Sequence, residues 1–151
     1  MSFQTDGGGV QFRCNDIKIL TSGSTWSTRL SQIGKVKGEI LICTYSLPNL
    51  DYVQGIFAKR PYGIKMIANS RFRHKAQQIK ALYPEIEVGL LEDMHKKTLL
   101  IEPQTIFIGS ANFGKSGWRE NCVGFHSPDM FEFCRAEFYM DWQEAEKVRG
   151  E

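Results

Sequence analysis

The sequence from His95 to Asn112 is HKKTLLIEPQTIFIGSAN. It contains two apolar runs, one ending at Ile101 and one spanning Thr105 to Gly109, with Glu-Pro-Gln between them. A proline-containing turn of this length between two short apolar runs is typical of a β-hairpin. The stretch therefore predicts two neighbouring antiparallel strands, with the first beginning at His95.

Four chemically useful side chains lie at one end of this predicted hairpin. Residues two apart in a strand share a face, so His95 and Lys97 are expected to point the same way. Ser110 and Asn112 have the same spacing at the end of the second strand. Together these residues offer a nucleophile or base, a cation and two neutral hydrogen-bonding groups, a set that suits a phosphate diester.

Outward from the hairpin, apolar runs alternate with segments of helical spacing. Strands are predicted at residues 12–20, 39–45, 64–68, 86–91 and 121–125, and helices at 25–36, 50–58 and 72–83. Ser127 and Pro128 supply an N-cap and a first-turn proline for a final helix. This order predicts an α/β fold in which a mixed β-sheet carries helices on both faces. We expect one domain over residues 11–147, after a flexible segment at residues 1–10.

Composition excludes several classes of protein. The 151 residues are 42% hydrophobic and 24% charged, which is ordinary for a globular domain and unlike a disordered or fibrous chain. Lys and Arg outnumber Asp and Glu by 19 to 17, which excludes a strongly basic nucleic-acid coat. No apolar run approaches a membrane span and no secretory signal is visible, so we expect a cytoplasmic protein with reduced cysteines and no membrane anchor. A zinc site from Cys122, His126 and Cys134 is conceivable, although the spacing fits no common finger.

The hairpin sequence resembles the HKD signature of the phospholipase D superfamily. That signature is His-x-Lys, four residues, an acid, six residues and Gly-Ser-x-Asn, and the chain matches it with His95, Lys97, Glu102, Gly109, Ser110 and Asn112. The usual acid is Asp, so Glu102 is a departure; in the superfamily this acid lies behind the site and anchors local structure. The likeness extends from about Ile17 to Trp142 and is strongest to the small single-motif nucleases of the superfamily.

The resemblance implies a mechanism and an assembly. Superfamily members build one site from two copies of the motif, and this chain holds one copy, which implies a homodimer through the active-site face. One His95 would form a phosphohistidine while the other served as acid and then base. Lys97 and Asn112 would hold the phosphate with Ser110 and Gly109 close by, and Glu120 could orient a histidine. The scheme requires no metal and no cofactor.

Other residues have a functional and an ordinary interpretation. Ser24 could bind phosphate at a helix N-terminus, but its position favours an ordinary N-cap. Lys115 belongs to a set of clustered basic residues, several of which follow predicted strand ends, and this set could guide a polyanion or simply be solvated. Glu120 lies next to Arg119 and could be an exposed ion pair. Phe72, Phe113 and Trp118 could stack on the bases of a single strand, or serve as core or dimer contacts.

Three functions follow from this sequence. The first is a metal-independent nuclease acting on DNA or RNA, which is the function that the resemblance favours. The second is a phospholipid phosphodiesterase, since some single-motif relatives cleave phospholipids. The third is a module that binds nucleic acid or phosphate with weak or no catalysis, an alternative that Glu102 in place of Asp keeps open.

Overall fold

The computed structural model describes residues 9–21, 33 and 35–150. The predicted helix at 25–36, Ser24 and most of the segment 1–10 lie outside these residues. In chain order, the elements are β1 (Asp16–Leu20), β2 (Ile40–Cys43), α1 (Leu50–Phe57), β3 (Ile64–Asn69), a 3₁₀ turn (Ser70–Phe72), α2 (Arg73–Leu82), β4 (Glu87–Leu91), β5 (Thr98–Ile101), β6 (Thr105–Gly109), β7 (Cys122–His126), α3 (Pro128–Glu144) and β8 (Glu146–Lys147).

The strands form one mixed sheet in the order β1-β7-β6-β5-β2-β3-β4-β8. The strands β2, β3 and β4 are parallel, whereas every other pairing is antiparallel. The predicted mixed sheet is confirmed, and so is the hairpin, in which Thr98 of β5 faces Ile108 of β6. The hairpin lies beside β2, where the parallel half of the sheet meets the antiparallel half.

The centre of the sheet is buried on both faces. All four residues of β2 are buried, as its continuous apolar run predicts. Ile40 and Ile42 belong to one apolar cluster, which includes residues of α1 and α2. Leu41 and Cys43 belong to a second cluster, which includes Phe131 and Phe138 of α3. Because successive strand residues point to opposite faces, the two clusters lie on opposite sides of β2.

The helix α3 begins as the sequence predicts. The side chain of Ser127 accepts a hydrogen bond from the backbone N–H of Met130 at 3.2 Å, and Pro128 occupies the first turn. The first turn of a helix leaves backbone N–H groups unpaired. Ser127 accepts one of them, and Pro128 has no N–H to pair. The Ser127 cap also ends β7 at His126, which fixes the point where the chain leaves the sheet.

Two strands begin more than one residue later than the sequence predicts, and each time a neighbouring strand explains why. The N-terminal strand begins at Asp16 and not at residue 12, because its partner β7 ends at His126, opposite Asp16. The first hairpin strand begins at Thr98 and not at His95, because β2 ends at Cys43, opposite Thr98. The two-residue strand β8 was not expected, since so short a segment carries no periodicity.

Candidate active site

Most of the predicted site residues that the structure describes meet at one edge of the sheet. Strands β2 and β6 end there, and β5 begins there because it is antiparallel to both. The segment before β5 and the segment after β6 are therefore side by side. One further backbone hydrogen bond, from Gly109 N to the Lys97 carbonyl at 3.2 Å, continues the β5–β6 pairing beyond Thr98, the first residue of β5. This bond fixes the place of Lys97 although it precedes the strand.

His95 and Lys97 are in direct contact. The Nζ of Lys97 lies 3.0 Å from Nδ1 and 3.3 Å from Nε2 of His95, and it donates to the His95 carbonyl at 2.8 Å. His95 is exposed and Lys97 is partly buried. Burial lowers the pKa of the Lys97 ammonium, and the charge of Glu120 opposes this effect. The pair places an accessible imidazole beside a cation that is incompletely hydrated, as attack on a phosphate diester requires.

Asn112 is held by its oxygen, which leaves its amino group for other partners. The Oδ1 atom accepts the backbone N–H of Tyr45 at 3.0 Å and of Ser46 at 3.4 Å. These two N–H donors fix the amide orientation, because only the oxygen can accept them. Within the described part of the chain, Nδ2 donates no hydrogen bond. The same side chain thus joins the end of β6 to the end of β2 and keeps two donors available for a phosphate.

Ser110 and Glu120 form a second bonded pair at this edge. The Ser110 hydroxyl donates to Oε2 of Glu120 at 2.5 Å and accepts from Asn121 N at 3.1 Å. The other carboxylate oxygen, Oε1, accepts from Ser116 Oγ at 3.4 Å. Among the described residues of this chain, Glu120 binds two serine hydroxyls and makes no bond to His95, and its role in orienting a histidine stays a prediction. Its contribution to the site is a negative charge near Lys97 and a fixed loop.

Gly109 is explained by packing between strands. A Cβ at this position would lie against the carbonyl oxygen of Asn121 and 2.9 Å from the Cα of Cys122. Any side chain would therefore push β6 away from β7. This packing gives Gly109 a structural role, and its role in substrate binding stays a prediction.

Glu102 is not brought to the other site residues. It follows Ile101 at the far end of β5, and its Oε2 accepts the backbone N–H of Glu39 at 2.8 Å. The Cβ of a residue at position 38 would lie 2.8 Å from the Cβ of Glu102, so Gly38 packs directly against it. This placement separates Glu102 from the other residues of the motif. It agrees with an anchoring role, here for the chain that enters β2.

Tyr45 is a site residue that the sequence analysis missed. Its ring centroid lies 5.3 Å from that of His95 and 5.4 Å from that of Phe72. Arg71 Nη1 lies 3.5 Å from the Tyr45 hydroxyl oxygen. Because Tyr45 directly follows the buried strand β2, its position at the sheet edge was a usable signal. The ring gives His95 an apolar wall, and the backbone N–H of the same residue holds Asn112.

Asn69 positions the segment that leads into His95. It is 6% exposed, and its Nδ2 donates to the carbonyls of Glu92 at 2.8 Å and Met94 at 3.2 Å. Its Oδ1 accepts from Arg71 N at 3.1 Å. Because a buried amide is costly unless bonded, this fully used side chain fixes the turn after β4. The placement of His95 therefore depends on a residue of β3.

The described residues do not assemble a metal site. No cluster of three or more His, Cys, Asp or Glu side chains suited to a metal ion occurs in residues 9–21, 33 and 35–150. Cys122 packs in the cluster with α1 and α2, whereas Cys134 packs against the cluster with α3. His126 Nδ1 lies 2.6 Å from Asp16 Oδ1. Cys122 and Cys134, two of the three conceivable zinc ligands, therefore lie on opposite sides of the sheet.

Comparison with known proteins agrees with this architecture. A family model described as cardiolipin synthase, PLD-like domain, matches residues 30–142. The crystal structure of Nuc from Salmonella typhimurium, a phospholipase D family member, is similar, with a TM-score of 0.74 and 21% identity over 89% of this chain and 100% of that chain. NucT from Helicobacter pylori is similar with a TM-score of 0.70 and 16% identity over 86% and 97% of the two chains.

A more distant structural match is TrmBL2, an archaeal chromatin protein whose structure shows a novel mode of DNA binding. Its TM-score is 0.65 at 13% identity, over 95% of this chain and 56% of that chain. No curated protein matches the sequence significantly. The family match covers most of the chain, including the hairpin and the whole candidate site described above. The chain therefore belongs to the family of PLD-like domains of the phospholipase D superfamily.

Proposed function

We propose that this protein is a metal-independent phosphodiesterase that cleaves nucleic acid through a phosphohistidine intermediate. The observation that carries the proposal is the cluster at the sheet edge. An accessible His95 imidazole lies 3.0 Å from the Lys97 ammonium, beside an Asn112 amide whose oxygen is already used. Membership in the PLD-like family supports phosphodiester chemistry.

The proposed reaction has two steps. In the first, a ring nitrogen of His95 attacks phosphorus, a P–N bond forms and the bond from phosphorus to the leaving oxygen breaks. A second histidine protonates that oxygen. In the second step the same histidine takes a proton from water, whose oxygen attacks phosphorus and releases His95. Lys97 and Asn112 donate to the non-bridging oxygens in both steps, where negative charge increases.

The second histidine comes from a second copy of the chain. Among the described residues, His95 is the histidine that contacts Lys97, and His126 lies at the far end of β7 against Asp16. A two-fold axis beside the cluster would supply the missing acid, together with a second lysine and asparagine. The proposal therefore includes a homodimer formed through the active-site face.

The nature of the diester separates two candidate functions. Arg71 and Lys115 are exposed near the site, and exposed cations beside a phosphate site favour a polyanionic substrate. A phospholipid is the second candidate, because the matching family model is described as cardiolipin synthase. Within the described residues, no helix combines the length and apolarity needed to cross a bilayer.

The test compares wild type with His95→Ala in excess EDTA, on plasmid, single-stranded DNA, RNA and anionic phospholipid vesicles. His126→Ala is the matched control, because it removes a histidine at the far end of the sheet. Wild type and the control should cleave nucleic acid, and His95→Ala should not. When a reacting mixture is denatured rapidly in alkali, the wild-type protein should keep covalently bound phosphorus, and acid should release that phosphorus. Cleavage by His95→Ala at the wild-type rate, or cleavage of vesicles alone, would contradict the proposal.

A further inference from the structure

A cavity opens beside the candidate site. It has a volume of about 450 Å³, and Asn112 and Glu120 of the site form part of its wall. The remaining wall includes Tyr52, Lys75, Lys115 and Trp118. We call it the Trp118 pocket. Its volume lies in the range of small-molecule sites, which is enough for one nucleoside.

The exposed indole of Trp118 is the unusual feature of this pocket. Trp118 is 81% exposed, whereas tryptophan is highly buried on average. Its loop is nevertheless fixed, because Trp118 N donates to Ser116 Oγ at 3.1 Å and Ser116 donates to Glu120. At the start of the loop, Gly114 has a φ of +145° and packs closely on Pro48. A large aromatic face is thus presented to solvent from a defined position.

Cations accompany the aromatic face. Lys75 Nζ donates to the Leu47 carbonyl at 3.3 Å and to Asn49 Oδ1 at 3.2 Å, which holds the ammonium at the pocket wall. Lys115 is exposed and forms no ion pair with any residue that the structure describes. An exposed aromatic platform flanked by cations is the combination that binds single-stranded polynucleotides by base stacking and backbone attraction.

We propose that the Trp118 pocket receives an unpaired base next to the scissile phosphate, so that the enzyme acts on single-stranded polynucleotides. The inference rests on the proposed nuclease function and specifies its substrate class. A base in a duplex would have to be unpaired and unstacked before it could reach the indole, and a base in a single strand would not. Glu120 links the two sites, because one carboxylate binds Ser110 of the catalytic edge and Ser116 of the Trp118 loop.

The test measures binding in the His95→Ala background, so that the probe is not cleaved. The probes are a labelled 12-nucleotide DNA single strand, the same strand with abasic sites, an RNA strand and a duplex. Trp118→Ala should raise the Kd for the normal strand roughly 5- to 150-fold, the range expected for one stacked base. The Kd for the abasic strand should not change, and Trp118→Phe should recover most of the affinity. The DNA and RNA arms tell which sugar the pocket accepts.

Trp142→Phe is the matched control, because Trp142 stacks on Phe138 in α3, away from the pocket. It should not change the Kd for any probe. Equal weakening of normal and abasic strands by Trp118→Ala would overturn the inference, since the indole would then not contact a base. A shift of Trp118→Ala from dimer to monomer in sedimentation would also overturn it, since Trp118 would be a subunit contact. Failure of wild type to cleave any polynucleotide would refute the nuclease proposal and leave these binding results interpretable.

Discussion

Substitutions of Asn112 can separate the structural role of its side-chain oxygen from the proposed catalytic role of its amino group. In Asn112→Ala, the backbone N–H groups of Tyr45 and Ser46 lose their acceptor. Each lost bond costs about 1 kcal/mol, so the free energy of unfolding should fall by about 2 kcal/mol. For a domain of this size, the melting temperature should drop by about 4–8 °C.

Asn112→Asp keeps an acceptor in the same place and removes both N–H donors. Its melting temperature should therefore stay within about 2 °C of wild type, because the carboxylate still accepts from the two backbone N–H groups. Its kcat/KM should fall at least 100-fold, the usual effect of removing a donor to a transition-state oxygen, and the added negative charge repels phosphate.

Thermal unfolding and cleavage of a labelled oligonucleotide in EDTA measure the two effects. Asn15→Asp, at the far end of the sheet beside β1, is the matched control and should change neither. An Asn112→Asp variant that keeps activity within tenfold of wild type would refute the catalytic assignment. An Asn112→Asp variant as unstable as Asn112→Ala would refute the structural one.

Three further predictions concern the hairpin and β2. Burial lowers the pKa of Lys97, so kcat/KM should decline at a lower pH than the deprotonation of a free lysine would give. Lys97→Arg should remove this decline at alkaline pH, even if the maximal rate falls, because arginine stays charged there. Gly109→Ala should lower the unfolding free energy by about 1–3 kcal/mol in denaturant titration, whereas Gly117→Ala, where a Cβ meets open space, should have little effect. Burial raises the pKa of Cys43 to about 11, so at pH 8 the native protein should react with a thiol reagent at exposed Cys14 and not at Cys43; prompt labelling of Cys43 would contradict this.

Much of the fold follows from local patterns in the sequence. The continuous apolar run of β2 predicts burial on both faces, and the proline turn predicts the β5–β6 hairpin. The position of β5 beside β2 could not be predicted in this way. No local pattern specifies which strand pairs with β2 on the side away from β3. The strand order in turn decides where β5 begins.

The site was predictable only in part, for the same reason. Motif spacing identified His95, Lys97 and Asn112, and the structure brings them to one edge. The same spacing grouped Glu102 with them, although the length of β5 separates it from Lys97. Tyr45 was missed because its role depends on a contact between β2 and the segment before β5, and such pairing between distant segments leaves no spacing rule in the sequence.

The strand order also has a consequence for how the chain folds during synthesis. The hairpin pairs residues close in sequence, Thr98 with Ile108, so it can form as soon as it leaves the ribosome. The strand β1 emerges first, but its partner is β7, roughly a hundred residues later, and long-range pairing of this kind is slow. Until then β1 has no neighbour in the sheet, and the side chains of Ile17 and Ile19, exposed even in the finished fold, remain open to other nascent chains. We therefore expect ribosome-bound chains that end before β7 to require chaperone protection most, and the requirement to fall once β7 has emerged.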